Sequence, residues 1–195
     1  MATGIREAVL CTGFMGEAVR DALGESFGPL RLHYSQEQTA LGTGGALRLA
    51  LPLINADTVL VMNGDSYCAF DPAAFQTYHA DRGALITMLL TEMPDTARYG
   101  QVELDADGRV NRFREKTPGL GPGWINAGVY LMARRVLYDI TEGRPISLER
   151  DVFPALIGRG LYGYAGGGRF LDIGTPESYE QATHFFAPLA PGGSQ

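Results

Sequence analysis

Two aspartates stand where alternating strands and helices gather their chemistry. Asp65 closes the stretch Thr58-Val59-Leu60-Val61-Met62-Asn63-Gly64-Asp65, an apolar run that breaks off in Asn-Gly-Asp. Asp172 closes Phe170-Leu171-Asp172, just ahead of Ile173-Gly174-Thr175-Pro176. In open α/β sheets ligands bind beyond the carboxyl ends of the strands, so both carboxylates hold a ligand-side position. If they converge, they offer two hard oxygen donors to Mg²⁺, which takes one or two carboxylates together with substrate phosphates and water. The alternative is that each merely caps the next turn or helix. For Asp65 the run alone leaves the two readings even; for Asp172, Thr175 is the better cap, which favours ligation.

Three further features carry polar chemistry. Gly42-Thr43-Gly44-Gly45 precedes an apolar segment of helical character, so its bare amides suit a phosphate or a base edge, although a tight turn explains it equally well. It is neither a P-loop, lacking Lys-Ser/Thr, nor a dinucleotide fingerprint, which argues against a nicotinamide-dependent oxidoreductase. Glu115-Lys116 ends one arm of a hairpin and contains the single lysine among sixteen basic residues. A lysine there reaches a bound phosphate as a point charge, or else forms an exposed ion pair. Asn126 lies inside the apolar run Trp124-Ile125-Asn126-Ala127-Gly128-Val129 and must find partners, either substrate hydroxyls or backbone groups of a neighbouring strand. His33, His79 and His184 have no spacing that suggests a metal site or a triad.

Composition narrows the class. The chain has 195 residues, 45% of them hydrophobic, with 26 glycines and a formal charge of −6. That is one globular domain, and the acidic balance argues against non-specific nucleic-acid binding. Cys11 and Cys68 read as reduced structural thiols of a cytoplasmic protein, and no apolar run is long enough to span a bilayer.

Hydrophobic periodicity and turn residues set the order of elements. Strands are expected at residues 7–11, 30–35, 58–62, 84–92, 124–132, 161–164 and 170–172, and helices at 15–23, 46–51, 72–82, 134–140 and 148–157. Asp71-Pro72 and Thr175-Pro176-Glu177 are helix starts, each with a capping side chain and proline at the first position. Asp105-Ala106-Asp107-Gly108 turns a hairpin between 101–104 and 109–115. The implied architecture is a Rossmann-like α/β domain over residues 1–186 with a mostly parallel sheet, and then a disordered tail at 187–195.

Taken in order, Leu41-Gly42-Thr43-Gly44-Gly45-Ala46, Asn63-Gly64-Asp65, Arg98-Tyr99-Gly100, Phe113-Arg114-Glu115-Lys116, Asn126-Ala127-Gly128-Val129-Tyr130 and Asp172-Ile173-Gly174-Thr175-Pro176-Glu177 resemble the sugar-1-phosphate nucleotidyltransferases. Asn63-Gly64-Asp65-Ser66-Tyr67-Cys68 and Ile146-Ser147-Leu148-Glu149-Arg150 look most like the guanylyltransferase branch acting on heptose or mannose 1-phosphates. The resemblance implies a three-layer fold and a reaction of GTP with a sugar 1-phosphate to give a GDP-sugar and pyrophosphate. It implies that Asp65 and Asp172 hold Mg²⁺, that Glu37, Gly42 and Gly44 line the base pocket, that Gly100, Glu115 and Asn126 contact the sugar, and that Lys116 binds its phosphate. Thymidylyl and cytidylyl transfer on the same fold are the alternatives for the base.

One departure accompanies the resemblance. The family opens with a strand and a Gly-x-Gly-Thr-Arg loop that grips the triphosphate, and this sequence contains no such motif. The expectation is therefore a fold lacking its first βα unit, with an exposed sheet edge and impaired activity. A non-catalytic sugar-phosphate-binding or regulatory remnant is the competing expectation.

Overall fold

The computed structural model describes residues 4–114 and 121–186. The expectations for Glu115, Lys116 and the tail at 187–195 lie outside the described residues.

The centre of the molecule is the pair β6 (Ile86–Met93) and β9 (Gly123–Ala133), antiparallel to each other. Both are mostly apolar, and successive side chains point to opposite faces. Ile86, Met88, Leu90, Tyr130 and Met132 enter one core, while Leu89, Val129 and Leu131 enter the other. The first core is covered by α2 (Gly42–Ala50), α4 (Arg134–Tyr138) and α5 (Phe153–Leu156). The second is closed by α3 (Pro72–Asp81), whose Phe75 is 1% exposed. Asp71 caps α3 by accepting the Ala73 and Ala74 amides, as the sequence suggests.

The α/β layering holds, but the sheet is mixed and not mostly parallel. β10 (Leu161–Tyr164) runs parallel to β6, whereas β4 (Thr58–Met62) pairs antiparallel with β9. The hairpin β7 (Gln101–Leu104) and β8 (Val110–Arg114) extends the same sheet through the start of β9. The reason is β9 itself, a single long strand that runs against both β4 and β6 and supplies most of the ladder. β4 is accordingly not an interior strand of a parallel sheet, as its apolar run suggests. Among the described residues it pairs only with β9, and Met62 is 52% exposed.

A second ladder joins β1 (Glu7–Thr12) in parallel to β3 (Leu30–Gln36), with the two-residue β2 (Ser26–Phe27) beyond it. Among the described residues β1 and β4 do not pair with each other. Helix α1 (Gly16–Leu23) comes after β1. A third, two-stranded ladder pairs β5 (Ser66–Cys68) antiparallel with β11 (Phe170–Asp172), which leads into α6 (Pro176–Phe185). Thr175 closes a capping box with Ser178 at the start of α6, so Asp172 is not that helix's cap. Among the described residues no helix is long and apolar enough to cross a membrane.

Candidate active site

Asp65 and Asp172 are brought together by backbone pairing. After β4 the chain turns through Asn63-Gly64-Asp65 into β5, whose Ser66 is directly opposite Asp172 on β11. The Ile173 amide donates to the Asp65 carbonyl at 2.8 Å, which fixes the two aspartates as cross-strand neighbours. Asp172 Oδ1 accepts the Gly174 amide at 2.9 Å. Among the described residues neither carboxylate joins a salt bridge. Strand pairing thus sets the two residues one position apart on neighbouring strands, and carboxylates are the donors that a hard divalent ion takes. The described residues hold no cluster of three or more His, Cys, Asp and Glu. Carboxylate oxygens are hard donors, the kind that Mg²⁺ takes together with phosphate and water.

β9 shapes the other wall. The β6–β9 register shifts between Met88 and Leu90, and opposite that bulge Gly128 sits at φ +75°. A Cβ there would lie 2.6 Å from Ser66 Oγ and 2.9 Å from Asn63 Nδ2. Only glycine lets the bulge close onto the Asn63-Gly64-Asp65 turn, where the Asn63 amide donates to the Gly128 carbonyl at 2.8 Å. Ser66 Oγ is buried there, without a hydrogen-bond partner among the described residues. Asn126 finds its partners within its own strand: its Nδ2 donates to the Tyr130 hydroxyl at 2.8 Å and its Oδ1 accepts the Gly128 amide at 3.0 Å. Its backbone amide donates to Gly100 O at 3.0 Å, so Gly100 and Asn126 are neighbours. Tyr99 stacks edge-on to Phe170 at 5.5 Å. Burial pushes its hydroxyl above the ordinary value, with Arg98 opposing and Asp172 reinforcing the rise. Asp65, Gly100, Asn126 and Asp172 thus share one corner.

Glu37, Gly42 and Gly44 form a second group, at the start of α2. Glu37 Oε2 accepts the Leu41 amide at 2.9 Å and closes the turn before the helix. The helix begins at Gly42, four residues earlier than its apolar pattern suggests, because the glycines themselves make its first turn. Their amides are not all bare: Gly44 and Gly45 donate to Ile146 O at 2.8 and 3.2 Å. A Cβ on Gly42 would stand 2.7 Å from that same carbonyl. Close packing of a distant segment, not only approach of a ligand, requires glycine here. The Gly42 and Thr43 amides have no acceptor among the described residues.

Sequence reasoning does not identify Gly128 as the residue that seats the Asp65 turn. A glycine in the middle of an apolar strand is the available signal, since it marks a bulge or a close backbone approach. Nor does it find β5, whose three residues are too few to show alternation.

The sequence matches the family model described as nucleotidyl transferase over residues 1–187. It is 35% identical to a mannose-1-phosphate guanylyltransferase of Mycobacterium tuberculosis over 182 residues, covering 91% of this chain and 51% of that protein. It is 31% identical to a D-glycero-alpha-D-manno-heptose 1-phosphate guanylyltransferase of Aneurinibacillus thermoaerophilus, covering 92% of this chain and 77% of that one. The crystal structure of HddC from Yersinia pseudotuberculosis superposes with a TM-score of 0.81 at 29% identity, over 94% of this chain and 80% of HddC. HddC complexed with GMP-PN gives a TM-score of 0.80. The chain spans about half the length of the mycobacterial relative.

Proposed function

Because the chain belongs to the nucleotidyl transferase family, we propose that it transfers GMP from GTP to the phosphate of a heptose- or mannose-type sugar 1-phosphate, releasing pyrophosphate. The observation that carries the reading is the cross-strand pairing that sets Asp65 beside Asp172. The names of the similar guanylyltransferases and the GMP-PN bound to HddC support guanine as the base.

The attacking sugar-phosphate oxygen is already anionic, so the reaction needs no general base. What it needs is alignment with the α-phosphorus and neutralisation of charge there. Asp65 and Asp172 would hold Mg²⁺, which supplies that neutralisation when bound. Glu37, Gly42 and Gly44 line the base side, the Gly42 and Thr43 amides being the open donors. Gly100 and Asn126 form the sugar side. There Asn126 is fixed by Tyr130 and Gly128, a rigid contact that costs little ordering on binding. In this reading Glu115 contacts the sugar, and Lys116 meets its phosphate as a point charge.

The test is pyrophosphate release from GTP and mannose 1-phosphate or heptose 1-phosphate with Mg²⁺, in the wild type and in Asp65→Ala. Turnover lost by at least about a hundredfold in the variant, equivalent to roughly 2.7 kcal/mol of transition-state stabilisation, is the expected result. Sugar 1-phosphate binding without turnover in the wild type would favour a binding module, and binding of neither substrate would overturn the proposal.

A further inference from the structure

Ile146-Ser147-Leu148-Glu149-Arg150 has no ligand role in the proposed reaction, yet its hydrogen bonds converge on the base-side turn. Leu148 is 1% exposed and Phe153 is fully buried, so the segment is anchored in the core beside α2. From that anchor it reaches Thr43, the second residue of the helix. Thr43 Oγ1 donates to Glu149 Oε2 at 2.9 Å and accepts the Leu148 amide at 2.8 Å. Ser147 Oγ donates to the same Glu149 oxygen at 2.8 Å and accepts the Arg150 amide at 3.2 Å. Each hydroxyl has one proton, and both hydroxyls donate to the same Glu149 oxygen while accepting a backbone amide, so the network has a single consistent direction. Bonds to a charged acceptor are roughly twice as strong as neutral ones. The backbone runs in parallel: Ile146 O takes the Gly44 and Gly45 amides, and the Ile146 amide donates to Leu41 O at 2.8 Å.

This clasp occupies the third and fourth amides of α2 and leaves those of Gly42 and Thr43 without an acceptor among the described residues. Thr43 is therefore pulled from its side-chain end by Glu149 and Leu148 while its own amide stays open. We propose that Thr43 and Glu149 are positioning residues that hold the Gly42 and Thr43 amides in place for the nucleotide. The inference rests on the assignment of Glu37, Gly42 and Gly44 to the base. Affinity for GTP, and not for the sugar 1-phosphate, then depends on the clasp.

The experiment compares Thr43→Val, which keeps the shape and loses the hydroxyl, with Thr43→Ser, which keeps the hydroxyl, and with Glu149→Gln. GTP and mannose 1-phosphate are titrated separately by calorimetry, and amide hydrogen exchange is measured at residues 41–45 and 146–150. Thr43→Val is expected to weaken GTP binding about tenfold, the equivalent of one charge-assisted hydrogen bond. Thr43→Ser should stay within about twofold, Glu149→Gln should fall between the two, and mannose 1-phosphate affinity should hold within about twofold throughout. Exchange should rise in both segments together in Thr43→Val. Unchanged exchange, unchanged GTP affinity, or equal loss of both ligands in Thr43→Val would each overturn the inference. A wild type that binds no GTP would overturn the functional reading, and this inference with it; a wild type that binds GTP with Thr43→Val unaltered overturns the inference alone.

Discussion

Around Asp65 and Asp172 the backbone does the holding: β5 pairs with β11, the Ile173 amide reaches Asp65 O, and the Gly128 bulge seats the Asn63 turn. Around Gly42 and Gly44 the holding is done by side chains and a carbonyl from elsewhere, with Thr43 and Glu149 bonded across 106 residues of sequence. The difference has a functional meaning. Where main chain supplies the geometry, the position of the two residues does not depend on an ion pair of either carboxylate. Where side chains supply it, residues that touch no ligand become necessary to the site, and their loss is felt in stability and in binding alike. The two regions also meet in the core. Phe153, on the segment that carries Glu149, lies 5.1 Å from the ring of Tyr130, whose hydroxyl accepts from Asn126.

The contrast is sharpest at the glycines. Gly42→Ala should be the most damaging change, because it combines φ +68° with a Cβ 2.7 Å from a backbone carbonyl that cannot move cheaply. A loss of about 3 kcal/mol is expected, from left-handed strain plus overpacking. Gly128→Ala carries the same backbone strain, but its two closest neighbours, Ser66 Oγ and Asn63 Nδ2, are side-chain ends, so part of the crowding is relieved by rotation although Asn63 Cβ stays at 3.1 Å. About 2 kcal/mol is expected there. By contrast Gly64, between Asn63 and Asp65, has nothing within 4 Å of a built Cβ, and Gly64→Ala should stay within about 0.5 kcal/mol. Urea midpoints at constant m-value give the ranking, and a Gly64→Ala loss as large as that of Gly42→Ala would erase the distinction.

The helix starts and the long strands are legible in the sequence because their signals are local. Asp71-Pro72 and Thr175-Pro176 cap as their residue types dictate, and β6 and β9 arise from apolar runs. The direction of β4 is not legible: an apolar run is the same whether its neighbour runs with it or against it, and β9 decides the matter. Asp65 and Asp172 can be nominated from strand ends, but their adjacency depends on β5, which leaves no pattern in three residues. The Gly42 turn looks fully open to a ligand in sequence because nothing in its own residues reveals the approach of Ile146 O.

Removing the Asp65 charge separates the two regions at smaller cost. Asp65 is exposed and its backbone carbonyl, not its carboxylate, holds Ile173. Asp65→Asn should therefore shift unfolding by no more than about 0.5 kcal/mol, the range for surface changes away from special features. If metal ligation is its role, Mg²⁺-dependent GTP binding should fall sharply in the same protein. A stability loss comparable to that of Gly128→Ala would show that the carboxylate is structural and would remove the distinction between backbone-held and side-chain-held geometry.

The smallest effect tests whether acid sensitivity belongs to either region. His79 lies on α3, 7% exposed, with Nδ1 2.8 Å from Thr87 Oγ1 on β6. Burial lowers its pKa below the ordinary 6.5, because the imidazolium would lose its hydration. The native state therefore resists a proton that the unfolded chain accepts. Stability from this group is intact above about 6.5 and declines as pH falls through the lowered native pKa. Urea midpoints should drop between pH 7.5 and 5.5 in the wild type by more than in His79→Gln, whose amide keeps a partner for Thr87. The difference between the two proteins removes the shared contribution of the carboxylates. Equal drops would mean that the acid response does not arise at His79.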